Sequence, residues 1–345
     1  MSESVVTVAT AAERDPWERY VGSHVRATHY HQFGWGELIR QVFGHQGPYF
    51  IARNAGVVTG VLPTVRLKSR LFGDYLVSMP YFNYGGVLAD DDATAGRLLD
   101  AAADYAAAAG LDHLEVRHTD PVQPTWPARA DKVCMHLPLP DDEETLFKNL
   151  GSKLRAQIRR PEKEGARARD GGAELLDDFY AVFSRNMRDL GTPVYGRRFF
   201  SAMLAAWPRD TRIMVVHLGE VPVAAAFLIG YRERLEIPWA SSLREYNRFG
   251  VNMMLYAEVL KYAIRRGYRV FDFGRSTVDA GTYKFKKQWG AQPQPLHWEY
   301  WLPDGAALPE LRPDSPKFRL AVSAWQRLPV RLANWIGPSI VKNLP

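Results

Sequence analysis

Alternating and helical spacings of apolar residues divide the chain into short runs, and the order of those runs is informative. From residue 48 the pattern predicts a strand (PYFIARN), a tight turn at Asn54-Ala55-Gly56, a second strand (VVTGVLPTVRL), a loop and a third strand (DYLVSMP). A helix follows over ATAGRLLDAAADYAAAAG, ending at Gly110 in the manner of a glycine cap, and then the strand LDHLEVRH. Residues 212–275 repeat this order with RIMVVHL, a turn at Gly219-Glu220, VPVAAAFLIGY, RLEIPWASS, the helix NMMLYAEVLKYAIRRG and the strand YRVFDFGR. Tyr105 matches Tyr262, Ala106 matches Ala263, Gly110 matches Gly267 and Glu115 matches Asp272, every pair at the same separation. Two copies of one hairpin, strand, helix, strand unit are therefore expected.

Between the copies, DDEETLFKNLGSKLRAQIRRPEKEG predicts one helix. Asp141 caps it, Glu143 and Glu144 suit its first turn, and the basic residues from Lys148 to Arg160 suit the later turns, with Pro161 to stop or bend it. The segment GAELLDDFYAVFSRNMRDLG predicts a second helix that buries Leu175, Leu176, Phe179, Val182, Phe183 and Met187. After residue 302 comes a proline-rich stretch and an amphipathic segment in which Trp325, Leu328, Leu332, Trp335 and Ile336 lie opposite Arg327 and Arg331, interrupted by Pro329. The organisation read from this is a first domain over 1–140, a second over 141–302 that begins with the basic helix, and a C-terminal segment, 303–345, packing back on the first domain. The fold class is α/β with mixed, α+β-type sheets: two tandem acyltransferase-like domains related by an internal repeat.

Composition narrows the function classes. With 46% hydrophobic and 24% charged residues the chain is globular rather than disordered or collagen-like. One cysteine, Cys134, rules out an intrachain disulfide and a cysteine-based zinc site, and its setting in KVCMHLPL reads as a buried strand thiol. The nine histidines lack metal-ligand spacing, and His29 and His31 suit a helix start, so no metal is expected. No secretory pattern opens the sequence and no uncharged run approaches the ~20 residues of a membrane span, which together predict a cytoplasmic protein. The net charge of +6 fits an anionic substrate, a membrane surface or nucleic acid.

Candidate chemistry gathers late in the chain, in FDFGRSTVDAGTYKFKKQWG. Asp272 and Arg275 end a strand, where open α/β sheets bind ligands. Asp272 has two readings, a general base for an amine or an acid paired with Arg275. In the following helix Tyr283, Lys286 and Lys287 are expected to share one face, and Phe285 and Trp289 another. The loop SSLREYNRFGVNMM lies where acetyl-CoA-dependent N-acetyltransferases carry Arg/Gln-x-x-Gly-x-Gly/Ala; it offers Gly250, but Asn252 takes the second small position and Arg248 is one residue out of register. Lys153, Arg155, Arg159, Arg160 and Lys163 form either an anion site for a nucleotide-sugar diphosphate or a tRNA backbone, or a solvated face. Asn83, Tyr84, Gly85 and Gly86 form a substrate wall or a tight turn.

These residues carry a resemblance. Phe285-Lys286-Lys287-Gln288-Trp289-Gly290 is similar to the Phe-Lys-x-x-aromatic-Gly element of the FemAB aminoacyltransferases, and Arg155 to Gly165 resembles that family's Ile-Arg-(Lys/Arg)-Ala-Glu-Lys-x-Gly helix with Pro161 in place of alanine. MPYFNYGGVLADD, DDFYAVFSRNMRDLGTPVYGRRFF, LEIPWASSLREYN and FDFGRST resemble the branch associated with exosortase/PEP-CTERM exopolysaccharide systems, from about Trp17 onward. The resemblance implies two acetyltransferase-type (GNAT) domains and transfer of an aminoacyl or acyl group to an amine on an anionic envelope or exopolysaccharide precursor. It implies Lys286 as the cation for the oxyanion, and Asn83, Tyr84, Trp239, Arg275, Tyr283 and Lys284 as substrate contacts beside Lys153, Arg155 and Arg159. No tightly bound cofactor is implied; the donor is aminoacyl-tRNA or acyl-CoA, the latter held near Gly250 and Asn252. A lipid-linked acceptor would place the protein at the inner face of the membrane, in peripheral contact through the C-terminal segment. A small-molecule N-acyltransferase using acyl-CoA, and a non-catalytic binder of anionic glycan or nucleic acid, are the alternatives.

Overall fold

The computed structural model describes residues 4–70, 72–309 and 316–344. The chain forms two compact units, one of residues 1–133, 294–310 and 342–345, the other of residues 134–293 and 311–341.

The first unit contains a four-stranded sheet (Val5–Val8, Tyr49–Asn54, Val57–Pro63, Leu88–Ala89) and a five-stranded sheet ordered Val65–Ser69, Gly73–Val77, Leu114–His118, His297–Trp301, Ala128–Arg129. The run expected as one strand, VVTGVLPTVRL, is broken at Thr64, so that its halves join different sheets. Pro63 has no N–H to continue a ladder, and the chain leaves the first sheet there. The helix Asp92–Ala108 starts where Asp91 accepts the Thr94 N–H at 2.7 Å and buries Leu98, Leu99, Ala102 and Ala106 against Phe50, Leu62 and Leu114.

The second unit is built on a seven-stranded sheet ordered Ala166–Gly171, Thr211–Leu218, Val221–Tyr231, Arg234–Ser242, Val270–Thr277, Lys132–Pro138, Gln292–Pro295. Here the counterpart of the broken strand, Val221–Tyr231, stays whole. The helix Val251–Arg265 lies against this sheet, as does Leu176–Leu190 with Leu176, Phe179, Val182 and Phe183 buried. Met187 is half-buried.

Three expectations are corrected. Lys132–Pro138 belongs to the second sheet and His297–Trp301 to the first, so the sheets do not divide at 140 and 302. Exchange of a strand between sheets leaves no mark on periodicity.

The segment after Pro140 is two helices, Glu143–Asn149 and Ser152–Lys163, parted at Leu150-Gly151. Its cap is Asp142, which accepts the Thr145 N–H at 2.7 Å, while Asp141 pairs with Arg269.

The C-terminal helices Pro316–Gln326 and Val330–Val341, parted at Pro329, lie against Leu176–Leu190 in the second unit. Arg188 donates to the Leu328 carbonyl at 2.8 Å, and Asn334 donates to Ser184 Oγ at 3.2 Å. Of the expected C-terminal segment, the stretch 303–309 and the end from Lys342 group with the first unit, and the helices between them with the second. Among the described residues no helix is long and apolar enough to cross a membrane.

Candidate active site at the splayed strands of the second unit

Arg234–Ser242 and Val270–Thr277 run parallel and pair only through Arg234↔Val270, Leu235↔Phe271 and Glu236↔Asp272. Both strands continue past that register, so the sheet opens into a fork with Glu236 and Asp272 at its root. Beyond the root the two backbones no longer bond to each other, which frees polar groups for a ligand.

On the far side of Val270–Thr277 lies Lys132–Pro138, carrying Cys134 and His136. Asp272 is fully buried; it accepts the Gly274 N–H at 2.7 Å and contacts His136 Nε2 at 3.1 Å. An ionised carboxylate can only accept, so Nε2 carries the proton and Nδ1 presents a lone pair. Nδ1 has no protein partner among the described residues. Burial alone would raise the Asp272 pKa, but the hydrogen bonds from His136 and from the Gly274 N–H outweigh it and hold the carboxyl below its usual range. Burial, with the charges of Asp272 and Glu236, pushes the Cys134 thiol well up, so it stays protonated and is no nucleophile.

The ligand atoms of Cys134, His136 and Asp272 lie within 4.8 Å of one another, a spacing that could hold a metal ion. An ion there would have to displace the His136–Asp272 bond within the electrostatic reach of the Lys286 ammonium. The donor set therefore suits a proton pair better than a cation.

Lys286 stands on the short helix Gly281–Lys287. Tyr283, Lys286 and Trp289 face inward, while Lys284 and Lys287 are exposed. The face expected for Tyr283, Lys286 and Lys287 is thus divided, with Lys287 left exposed, although its ammonium sits 5.7 Å from the Tyr283 ring. Lys286 Nζ donates to the carbonyls of Gly274 and Arg275, each at 2.9 Å, just past the root of the fork. Burial lowers its pKa to about 8, partly offset by the charge of Asp272. Two of its three donors are used and one remains.

Ser276 shares the sheet face of Asp272 by the period of two, is 4% exposed, and its Oγ has no hydrogen-bond partner among the described residues. Arg275, between these positions, is exposed.

The remaining predicted residues are dispersed. Trp239 is half-buried, edge-on to Phe200 at 5.1 Å and to Phe199 at 5.7 Å, and two residues on Ser241 accepts from Asn186 Nδ2 at 3.0 Å. Asn83 and Tyr84 belong to the first unit: the Asn83 carbonyl accepts the Trp298 Nε1–H at 3.0 Å, and Tyr84 is buried edge-on to Tyr30.

Lys153, Arg159, Arg160 and Lys163 are exposed along Ser152–Lys163, but Arg155 is half-buried and turned to the backbone. Its Nη1 donates to the carbonyls of Phe147, Lys148 and Leu150, closing the end of the preceding helix where Gly151 breaks it. Arg155→Ala is therefore expected to lower unfolding free energy by about 1.5–3 kcal/mol, as for a charged hydrogen bond, and to leave acceptor affinity unchanged. Chemical denaturation beside a binding titration measures both.

Gly250 precedes the helix Val251–Arg265 with φ +80°, and a side chain added there would meet the Gln157 carbonyl at 3.1 Å. A larger residue at this position would thus be strained by the φ and crowded by the basic helix. Asn252 is half-buried beside it.

Two residues beside the fork escaped sequence reading. His136 was one of nine scattered histidines, 136 positions from its partner, and Ser276 was an ordinary strand serine. The one signal for His136 was its place two residues after the cysteine in an alternating run.

Residues 152–287 match the family model described as Acetyltransferase (GNAT) domain. No curated protein matches the sequence significantly. Among solved structures the chain is similar to FemX, with a TM-score of 0.64 at 15% identity over 85% of this chain and 96% of that one. It is similar to L-PGS from Bacillus licheniformis, with a TM-score of 0.51 at 14% identity over 78% and 87%. A tandem GNAT protein from the clavulanic acid biosynthesis pathway gives a TM-score of 0.52 at 12% identity over 89% and 99%. At these identities the likeness concerns the fold, which is two GNAT-like domains in tandem.

Proposed function

We propose that the protein is a GNAT-fold acyltransferase of FemAB type, moving an aminoacyl group to an amine on an anionic cell-envelope or exopolysaccharide precursor. The observation that carries this reading is the His136–Asp272 pair beside Lys286 at the root of the fork, within a sheet whose GNAT match spans residues 152–287. His136 Nδ1 takes the proton from the acceptor amine as its nitrogen attacks the acyl carbon of the donor ester. The N–C bond forms, the tetrahedral oxyanion is met by the remaining Lys286 donor and by Ser276 Oγ, and the C–O bond then breaks as the proton passes to the leaving hydroxyl. Each fixed donor aimed at the oxyanion contributes on the order of 3 kcal/mol.

An aminoacyl ester is favoured over acyl-CoA because Asn252 stands at the second small position of the cradle and Arg248 is one residue out of register. The exposed Arg159, Arg160 and Lys153 then suit a polyanionic donor or acceptor. Trp335, Arg331 and Leu332, all exposed on the last helix, suit contact with an anionic membrane surface, where a lipid-linked acceptor resides.

The test is mass spectrometry of envelope precursors incubated with the protein and either aminoacyl-tRNA or acyl-CoA. A precursor gaining one aminoacyl mass from tRNA alone is the expected result. Transfer from acyl-CoA alone would establish the small-molecule N-acyltransferase instead, and transfer from neither would overturn acyl transfer to these acceptors.

A further inference from the structure

The first unit has a parallel strand pair at the matching place. Gly73–Val77 and Leu114–His118 pair through Leu76↔Leu114 and Val77↔Glu115; Gly73–Val77 then ends, with the Ser78 N–H donating to the Glu115 carbonyl and the Arg117 N–H to Ser78 Oγ, while Leu114–His118 runs on. Glu115 is the residue that the repeat aligns with Asp272, so the two parallel ladders end at matching positions. The strand that follows in the sheet, His297–Trp301, brings Tyr300 to Glu115 as Lys132–Pro138 brings His136 to Asp272. No base results in the first unit, because a tyrosine hydroxyl donates to Glu115 at 2.9 Å where the second unit has an imidazole. Burial and the Glu115 charge raise the pKa of Tyr300, which keeps it a donor.

At the end of that strand lies a cleft of about 80 Å³, lined among others by Arg26, Thr28, Arg117, Thr119 and Asp120 and by the backbone at Gly85 and Gly86. A side chain at Gly86 would meet His118 at 2.2 Å, so glycine there lets the wall close on the histidine. His118 is a satisfied wall residue: Nδ1 donates to Glu299 at 2.8 Å and Nε2 accepts the Val87 N–H at 3.1 Å.

Arg117 is different. It is 2% exposed, its Nε donates to Glu115 at 2.7 Å, its Nη1 donates to the Phe82 carbonyl, and its guanidinium lies 4.2 Å from the Trp298 ring. Its Nη2 is buried with no partner among the described residues. A guanidinium donor left unsatisfied in the interior is costly, and buried polar groups nearly always find a partner. Among the charged residues on the lining, Arg26 and Arg117 outnumber Asp120, and the space admits several waters or one small charged group.

We infer that this cleft binds a small oxyanion, a carboxylate or a phosphate group, with Arg117 Nη2 and Arg26 as its donors and Thr28 and Thr119 beside it. Assigning that oxyanion to the acceptor of the transfer reaction rests on the acyltransferase reading; the binding itself does not. The first repeat lacks the proton pair and offers the end of its strand as a recognition site.

The experiment is calorimetric titration of the full chain with inorganic phosphate and, separately, acetate, the two arms separating the two chemistries. It is repeated with His136→Gln protein, which keeps the cleft and lacks the proposed base. Saturable binding of at least one anion is expected in both proteins. Arg117→Lys, which keeps a charge beside Glu115 and removes Nη2, should weaken it at least tenfold. Arg26→Ala, at an exposed position that does not threaten folding, should weaken it about three- to tenfold. Absence of saturable binding of either anion, or binding that Arg26→Ala leaves unchanged, overturns the inference whether or not acyl transfer stands. Anion binding by a wild-type protein that shows no transfer activity sinks the acyltransferase reading and leaves the cleft.

Discussion

Lys286→Met is expected to reduce turnover at least ~100-fold, the scale for losing one donor aimed at a developing oxyanion. The substitution keeps the length of the side chain and removes its charge. Two consequences separate a catalytic role from a structural one. The Gly274 and Arg275 carbonyls lose their donor, which costs about 1–3 kcal/mol of stability yet leaves the rest of the sheet paired. The protein should therefore fold and bind substrate while failing to turn over.

The second consequence is a pH dependence. Burial lowers the Lys286 pKa from 10.5 to about 8. Below about pH 8 the folded and unfolded chains both hold the proton, and the folded state bears the whole penalty of a buried charge, on the order of 3 kcal/mol for such a shift. Between about pH 8 and 10.5 the unfolded chain holds a proton that the folded chain has released, so this residue's contribution to stability rises with pH. Urea unfolding at intervals across that window should show wild type gaining on Lys286→Met. A constant difference between the two proteins would mean that Lys286 is not buried as a strained cation, and undiminished turnover would remove it from catalysis.

The elements were legible in the sequence wherever spacing decides them. Asp92–Ala108 and Val251–Arg265 carry one apolar face each, and the glycines after them, Gly110 and Gly267, adopt positive φ. The repeat also aligned Glu115 with Asp272, and each is the last residue to pair in its parallel ladder.

Features set by tertiary contact were not legible. Lys132–Pro138 and His297–Trp301 read as strands, but nothing in an alternating pattern names the sheet a strand will join. Lys286 read as one of several cations on an exposed helix, because helical spacing fixes relative faces and not which face turns inward. The buried face is set by Tyr283 and Trp289, at i−3 and i+3, and Lys286 lies between them. Arg155 looked like an anion ligand until Gly151 broke the helix and left three carbonyls for it to close.

His136→Gln is expected to lower turnover by about 100- to 10,000-fold, the range for loss of a positioned general base. Asp272 could not fill that role alone. It has no exposed surface, whereas the His136 side chain is 17% exposed and its free nitrogen is the atom an incoming amine can reach. Asp272 acts through the histidine, fixing the proton on Nε2 and favouring the imidazolium that forms when Nδ1 takes the proton.

Turnover and circular dichroism measured together distinguish the two residues. Asp272→Asn keeps the shape of the side chain but no longer forces the proton onto Nε2, so turnover should fall in protein that remains folded. An aspartate that merely held the sheet together would lose activity in proportion to unfolded protein. Turnover within about threefold of wild type in His136→Gln, measured at the optimum for each protein, would place the base elsewhere in the fork and reduce the His136–Asp272 pair to a structural contact.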